Sequence, residues 1–277
     1  MKNYPVLFFA TAGMLICSFA FSQKGIKGLT DAEKAFASYT SSHTIRDGFL
    51  KYMDSNGIIF RQGNAVNALD AYQKQKAGPA MLNWEPVFAI ISSSGDFGIT
   101  TGPYTLHPKP PQDTPVAYGS FSSVWIMNKR GEWKNLVDLG TSYRKPATDK
   151  IPLQEIILVP RTVMSVASFE EVLTLDRKLN QDLKEKNGAT VSTQLSADSW
   201  LNLEGETPVT GVQLISNVLR HIPDTVLFHS ESGKIASSGD LAYVYGTVTN
   251  GNKKENYLRI WANRNKRWQV ILQTIKW

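Results

Sequence analysis

A four-residue motif that occurs twice constrains this chain more than any other feature. Ser93-Ser94-Gly95-Asp96 returns as Ser237-Ser238-Gly239-Asp240 after 144 residues, and Trp125 and Trp133 return as Trp261 and Trp268 after 136 and 135. The drop in spacing locates a deletion. It falls in the hairpin where the first copy carries His107-Pro108-Lys109-Pro110-Pro111-Gln112-Asp113-Thr114-Pro115 and the second has only a tight turn at Asn250-Gly251. With 277 residues the chain is long enough for two cores, and a duplicated landmark set asks for two units of the same plan.

The local signals run in the same order in both copies. Thr30-Asp31-Ala32-Glu33 reads as a capping box that opens a helix, with Glu33 reaching back to the cap. A second helical stretch starts at Thr44 and stops at Asn56-Gly57, and a third, short helix covers Val66 to Lys76 after a strand at Ile58 to Phe60. Strands follow at Trp84 to Ile91, Phe97 to Leu106, Ala117 to Asn128 and Trp133 to Leu139. In the second copy Ser168-Phe169-Glu170-Glu171 opens a helix that stops at Asn187-Gly188, Ser196 to Leu203 leads to Gly205, and Val212 to Leu219 is helical. Strands at Thr225 to Ser230, Leu241 to Thr249, Asn256 to Ala262 and Trp268 to Ile275 complete it. Helices first and antiparallel strands afterwards, twice, predict an α+β fold of two tandem domains, 23–145 and 163–277. Pro146, Pro152 and Pro160 mark 146–162 as the linker between them. Strands such as Tyr257 to Ala262 and Gln269 to Ile275 are apolar on both faces, which predicts domain–domain packing or a homodimer interface.

The first 22 residues predict export. A basic Lys2, an apolar centre over Val6 to Ala10 and Met14 to Cys17, and a small-x-small site at Ala20-Phe21-Ser22 read as a signal peptide cleaved before Gln23, for a periplasmic or secreted protein. Thr11, Gly13 and Ser18 interrupt the apolar stretch and argue against a lasting membrane anchor. Bulky Ile16 before Cys17 argues against a lipoprotein. Cys17 is the only cysteine, so processing removes disulfide, thiol and zinc–cysteine chemistry together. Four histidines, His43, His107, His221 and His229, show no metal-ligand spacing, so neither a metal nor a cofactor is expected. Thirty Lys plus Arg against 24 Asp plus Glu give a mild +6, and the basic residues near the C-terminus flank turns; no nucleic-acid partner is read from this.

The first copy resembles the SnoaL-like branch of the nuclear transport factor 2-like superfamily. The resemblance is carried by Glu33-Lys34-Ala35-Phe36, Phe60-Arg61-Gln62-Gly63, Leu82-Asn83-Trp84-Glu85-Pro86, Ser94 through Tyr104, Val124-Trp125, and Gly131-Glu132-Trp133-Lys134 through Gly140. The second keeps Ser238 through Tyr243, Ile260-Trp261 and Arg267-Trp268, lacks the Trp-Glu-Pro segment, and has Gln273 near where the first has Asp138. The resemblance implies two cone-shaped domains, each a curved antiparallel sheet wrapped over N-terminal helices with a pocket between. Such cones serve as ligand carriers, acid–base enzymes of isomerase, dehydratase or hydrolase type, and association modules, so all three remain open.

A small apolar or acidic molecule held in the first cone is the leading expectation. Arg61, Trp84, Tyr104 and Tyr118 are its candidate binding residues, and Asp138, between Val137 and Leu139 in a strand, is the candidate catalytic carboxylate, with Glu85 behind it. His229, Tyr243 and Tyr245 are the weaker candidates of the second cone.

Overall fold

The computed structural model describes residues 24–108, 114–144, 150–160, 168–186 and 188–277, so the leader expected at 1–22 lies outside it. In the first half, helices α1 (Ile26–Ser42), α2 (Ile45–Tyr52) and α3 (Ala68–Lys74) lie on one face of an eight-stranded sheet. Its strands are β1 (Met53–Arg61), β2 (Asn64–Asn67), β3 (Met81–Trp84), β4 (Phe88–Ile91), β5 (Phe97–His107), β6 (Ala117–Met127), β7 (Trp133–Tyr143) and β8 (Gln154–Ile157). They are ordered β2-β1-β7-β6-β5-β4-β8, with β3 pairing β5 beyond β4. The second half repeats the plan. Helices α4 (Phe169–Lys184), α5 (Gly188–Thr193) and α6 (Val212–Arg220) accompany β9 (Leu195–Leu203), β10 (Val209–Thr210), β11 (Val226–Ile235), β12 (Leu241–Asn250), β13 (Lys253–Arg264) and β14 (Arg267–Ile275), ordered β10-β9-β14-β13-β12-β11. In both halves the first strand runs parallel to the last hairpin strand, β1 on β7 and β9 on β14. The fold is α+β with two sheets, as the order of local signals predicted.

Side-chain caps set the helix starts where they were expected in two cases. Thr44 accepts from the Asp47 amide at 3.1 Å and Ser168 from the Glu171 amide at 3.3 Å, each satisfying an orphan donor of the first turn. The Thr30 box is different. α1 begins four residues earlier, after Gly25 in the left-handed region (φ 94°), whose amide is tied to the Gly95 carbonyl. Thr30 is therefore inside the helix, its hydroxyl donating back to the Lys27 carbonyl, and Glu33 is wholly buried instead of capping. Asn56-Gly57 does not end a helix either. α2 passes into β1 at Met53, and the pair sits where β1 slips register against β7, a bulge in which a Cβ on Gly57 would come within 2.9 Å of the Asp54 carbonyl.

Two further differences lie at prolines. The single strand expected over Trp84 to Ile91 is split by Glu85-Pro86 into β3 and β4, since proline has no amide for the ladder. Part of the 146–162 stretch read as linker is β8, paired parallel to β4 through Ile90↔Ile156 and Ile91↔Ile157.

Strand alternation gives each sheet two buried faces. On β6, Phe121 and Trp125 face the helices, and Ser122 and Val124 face the other half. Phe97, Ile99, Val124, Val137 and Leu139 of the first sheet pack on Leu241, Tyr243, Leu258, Ile260 and Leu272 of the second in one apolar layer. Asn202 donates across it to Thr101 (2.9 Å) and Ser122 (3.1 Å). At one end Ser94 Oγ lies 3.2 Å from Ser238 Oγ, so a repeat landmark meets its own counterpart, as at a two-fold axis.

Candidate functional site

The first half encloses a cavity of about 170 Å³ between its helices and its sheet. Five rings form most of its wall: Phe36 from α1, Phe49 from α2, Trp84 from β3, Tyr104 from β5 and Phe121 from β6. They meet at steep angles, Phe36 on Trp84 at 4.8 Å and 82°, Trp84 on Phe121 at 6.4 Å and 63°, which is the edge-to-face preference of aromatic pairs. The space continues to β7, where Gly140 has no side chain to fill it and Asp138 puts a carboxylate into the wall.

Asp138 accepts from Ser123 Oγ at 2.8 Å. Burial lifts its pKa to about 6, against the opposing pull of Ser123, Asn135 and the more distant Arg61. A second carboxylate lies deeper. Glu33 falls on the buried stripe of α1 with Leu29, Phe36 and Thr40, and it accepts from Trp84 Nε1 (2.5 Å), Thr100 Oγ1 (2.5 Å) and Trp125 Nε1 (2.7 Å). Burial raises its pKa to about 7 although all three donors favour the charged form, and the Asp138 charge adds to the rise. Among the described residues no cation stands within ion-pair distance of either carboxylate.

Of the residues singled out in the sequence, Trp84, Tyr104 and Asp138 line this cavity. Arg61 does not: it is exposed at the end of β1 with its guanidinium 5.8 Å from the Tyr72 ring centre, and reaches Asp138 only through its field. Tyr118 does not either, because the period of two that turns Phe121 inward turns Tyr118 to the opposite face of β6. Tyr243 and Tyr245 belong to the layer between the halves, where Tyr243 stacks on Phe97 (6.2 Å) and Tyr245 meets Phe60 (5.6 Å). His229 is exposed on β11 beside α4. The residues of the cavity and its carboxylate network that the sequence did not single out are Glu33, Ser123 and the rings Phe36, Phe49 and Phe121. Glu33 had a legible signal, a charge at helical spacing within an apolar stripe, which the capping-box reading displaced.

The second half handles the same place in another way. Asp176 of α4 accepts from Tyr257 Oη (2.5 Å), Ser230 Oγ (2.7 Å) and Trp261 Nε1 (3.0 Å), and it forms a 3.0 Å ion pair with Arg259, both side chains fully buried. Arg259 also donates to Asn180 Oδ1 (2.7 Å) and Gln273 Oε1 (2.9 Å). A guanidinium occupies the corner between the Tyr257 and Phe228 rings, and a groove of about 330 Å³ with charged Arg177 and Lys184 on its rim runs between α4 and β11.

A larger cleft, about 990 Å³, lies between the halves against residues 150–154, Glu85, Trp200 and Asn202. Size alone favours it, and chemistry favours the smaller cavity. The cleft's carboxylates are Glu85 and Asp198, and Asp198 is already paired with Arg264 at 2.9 Å. Among the described residues no cluster of His, Cys, Asp or Glu is arranged to hold a metal.

No protein family and no curated protein matches the chain. Solved structures similar to part of it include a protein of unknown function with a cystatin-like fold from Nostoc punctiforme PCC 73102, at 16% identity over 39% of this chain and 92% of that one (TM-score 0.34). An NTF2-like protein of unknown function from Pseudomonas putida KT2440 matches at 14% identity over 40% of this chain and 87% of its own (TM-score 0.35). An NTF2-like protein with a cystatin-like fold from Novosphingobium aromaticivorans matches at 12% over 38% and 78% (TM-score 0.32). What the site can do is read from its own geometry.

Proposed function

We propose that the chain is a small-molecule-binding protein of the SnoaL-like, nuclear transport factor 2-like kind, whose site is the first-half cavity. One observation carries this reading: an aromatic-walled space with a carboxylate in its wall remains in one half, at the place where the other half sets the Arg259 guanidinium between its rings. At about 170 Å³ the cavity is comparable to the ~150 Å³ apolar cavity that admits benzene, so a compact ring or a short branched group fits. Asp138 supplies the polar contact that orients it.

Gly140 offers a clean test. A Cβ there would meet its nearest neighbours, the Ser120 carbonyl and the Tyr104 ring, at 3.5 and 3.6 Å, which is ordinary contact. Gly140→Val therefore puts three carbon atoms into the cavity, at a position where no positive φ strains a side chain. Phenol titrated into the wild-type protein is expected to move the indole N–H signals of Trp84 and Trp125 saturably, and to leave them unmoved in Gly140→Val. Equal shifts in both proteins, or none in the wild type, would sink the reading.

A second reading, acid–base catalysis, is favoured by the Asp138 pKa of about 6, which places its proton exchange close to neutrality where a general base works best. It predicts that Asp138→Asn removes turnover and spares binding of a substrate analogue. We also propose that residues 1–22 direct export and are removed before Gln23, leaving two tandem units of which the first takes in β8. N-terminal sequencing of exported protein that still began at Met1 would contradict this.

A further inference from the structure

The register of the two sheets gives a position-by-position correspondence between the halves. Gly98 pairs with Trp125 as Ala242 pairs with Trp261, Ser123 pairs with Asp138 as Arg259 pairs with Gln273, and Trp84 pairs with Tyr104 as Phe228 pairs with Val248. Both Trp125 and Trp261 donate to the helix carboxylate of their half, Glu33 and Asp176. The cavity rings Trp84 and Phe121 thus correspond to Phe228 and Tyr257, which meet in the same way, at 5.7 Å and 72°. Into that aromatic corner the second half places Arg259, its guanidinium carbon 4.4 Å from the Tyr257 ring centre and 5.5 Å from that of Phe228. The first half has the corner, the helix carboxylate and, at the Gln273 position, a second carboxylate. At the arginine position it has Ser123.

We infer that the first-half cavity takes a small organic cation of guanidinium or ammonium type, in the place that Arg259 occupies in the second half. This rests on the cavity being a binding site and names the chemistry of its occupant. Relative to the second interior, the first has lost one positive group and gained one ionisable acid, while its rings keep faces suited to a desolvated cation. Two carboxylates with no cation beside them are costly to ionise in such a place. A cation between Trp84, Phe121 and Asp138 removes that cost and receives a charge-assisted hydrogen bond. Arg61 does not serve, because it is exposed at the end of β1.

Binding should strengthen as pH rises, because the cation favours ionised Asp138. The groups that face or act on Asp138 are Glu33 from α1, Arg61 from β1, Tyr72 from α3, Tyr104 from β5, Ser123 from β6 and Asn135 from its own strand. Tyr72 and Tyr104 have phenols that burial holds above their ordinary range, so they remain neutral near pH 6. Glu33 titrates close by, and its ionisation adds to the same trend.

The experiment compares methylguanidinium with methylurea, its neutral isostere, with phenol as the control for the cavity itself, each followed by the Trp84 and Trp125 indole signals. The expected result is saturable methylguanidinium binding, at least about tenfold tighter than methylurea, strengthening from pH 5 to pH 7. Asp138→Asn should lose that preference while still binding phenol, which shows it folded. Ser123→Arg, which supplies the cation from within, should bind none of the three. If phenol binds and methylguanidinium is no tighter than methylurea, the cation inference is overturned and the cavity reading stands. If none of the three binds, both are overturned.

Discussion

The two interiors are built on one register and end in different states. In the second, Arg259 joins Asp176, Asn180 and Gln273 and occupies the corner between the Tyr257 and Phe228 rings. In the first, Ser123, Asp138 and Glu33 occupy the matching positions and a cavity remains. Two exchanges at paired register positions, Arg259 for Ser123 and Gln273 for Asp138, separate a buried ion pair from two carboxylates whose pKa values are raised. On the proposed function, charge balance inside each half is what distinguishes a core from a site.

The largest expected effect comes from breaking the balanced interior. Asp176→Asn leaves Arg259 buried without a counter-charge and should cost about 3–5 kcal/mol. Glu33→Gln disturbs its three donors but strands no charge, and should cost about 1–2 kcal/mol at pH 7. Denaturant unfolding of both variants compares them, and equal losses would break the distinction between the halves.

Next comes pH. The folded-state pKa of Glu33 is about 7 against an ordinary 4.5, and that of Asp138 about 6 against 3.8, so the native state holds these protons more tightly than the unfolded chain. Their stabilising contribution is complete below about pH 4 and is lost as pH rises through 6 and 7. Each is worth on the order of 3 kcal/mol at one pKa unit per 1.36 kcal/mol. Unfolding midpoints should therefore include a component that falls from pH 4 to 7.5 and is flattened in the Glu33→Gln, Asp138→Asn double variant. An unchanged slope in that variant would place the raised pKa values elsewhere.

Smaller effects sharpen the comparison. Gly140→Val should change stability by less than about 1.5 kcal/mol, since it fills existing space, yet remove phenol binding. His229→Ala, on the exposed face of β11, should change stability by no more than about 0.5 kcal/mol and leave binding intact, as read by thermal melting and the phenol titration.

The duplication, the helix-then-strand order and most strand positions were legible, because the Ser-Gly-Asp and Trp landmarks recur and strands keep their period of two. Trp84, Tyr104 and Asp138, singled out on chemistry alone, line the first-half cavity. The sequence could not place Tyr118, Tyr243 and Tyr245, because alternation fixes which residues share a face without saying which face meets helices and which meets the other half. Both faces here are apolar. Glu33 was hidden by a local motif whose cap geometry Gly25 had already supplied, five residues upstream of Thr30. The significance of Arg259 was invisible for a different reason: a wholly buried arginine is legible only once its partner Asp176, 83 residues away, is placed beside it.

A crystal structure of Ser123→Arg tests the central claim most directly. If the missing arginine is what leaves the first-half cavity open, the new guanidinium will lie in the corner between Trp84 and Phe121, bonded to Asp138 or Glu33, with the cavity closed. An arginine turned out to solvent, with the cavity unchanged and both carboxylates still without a cation, would contradict the account.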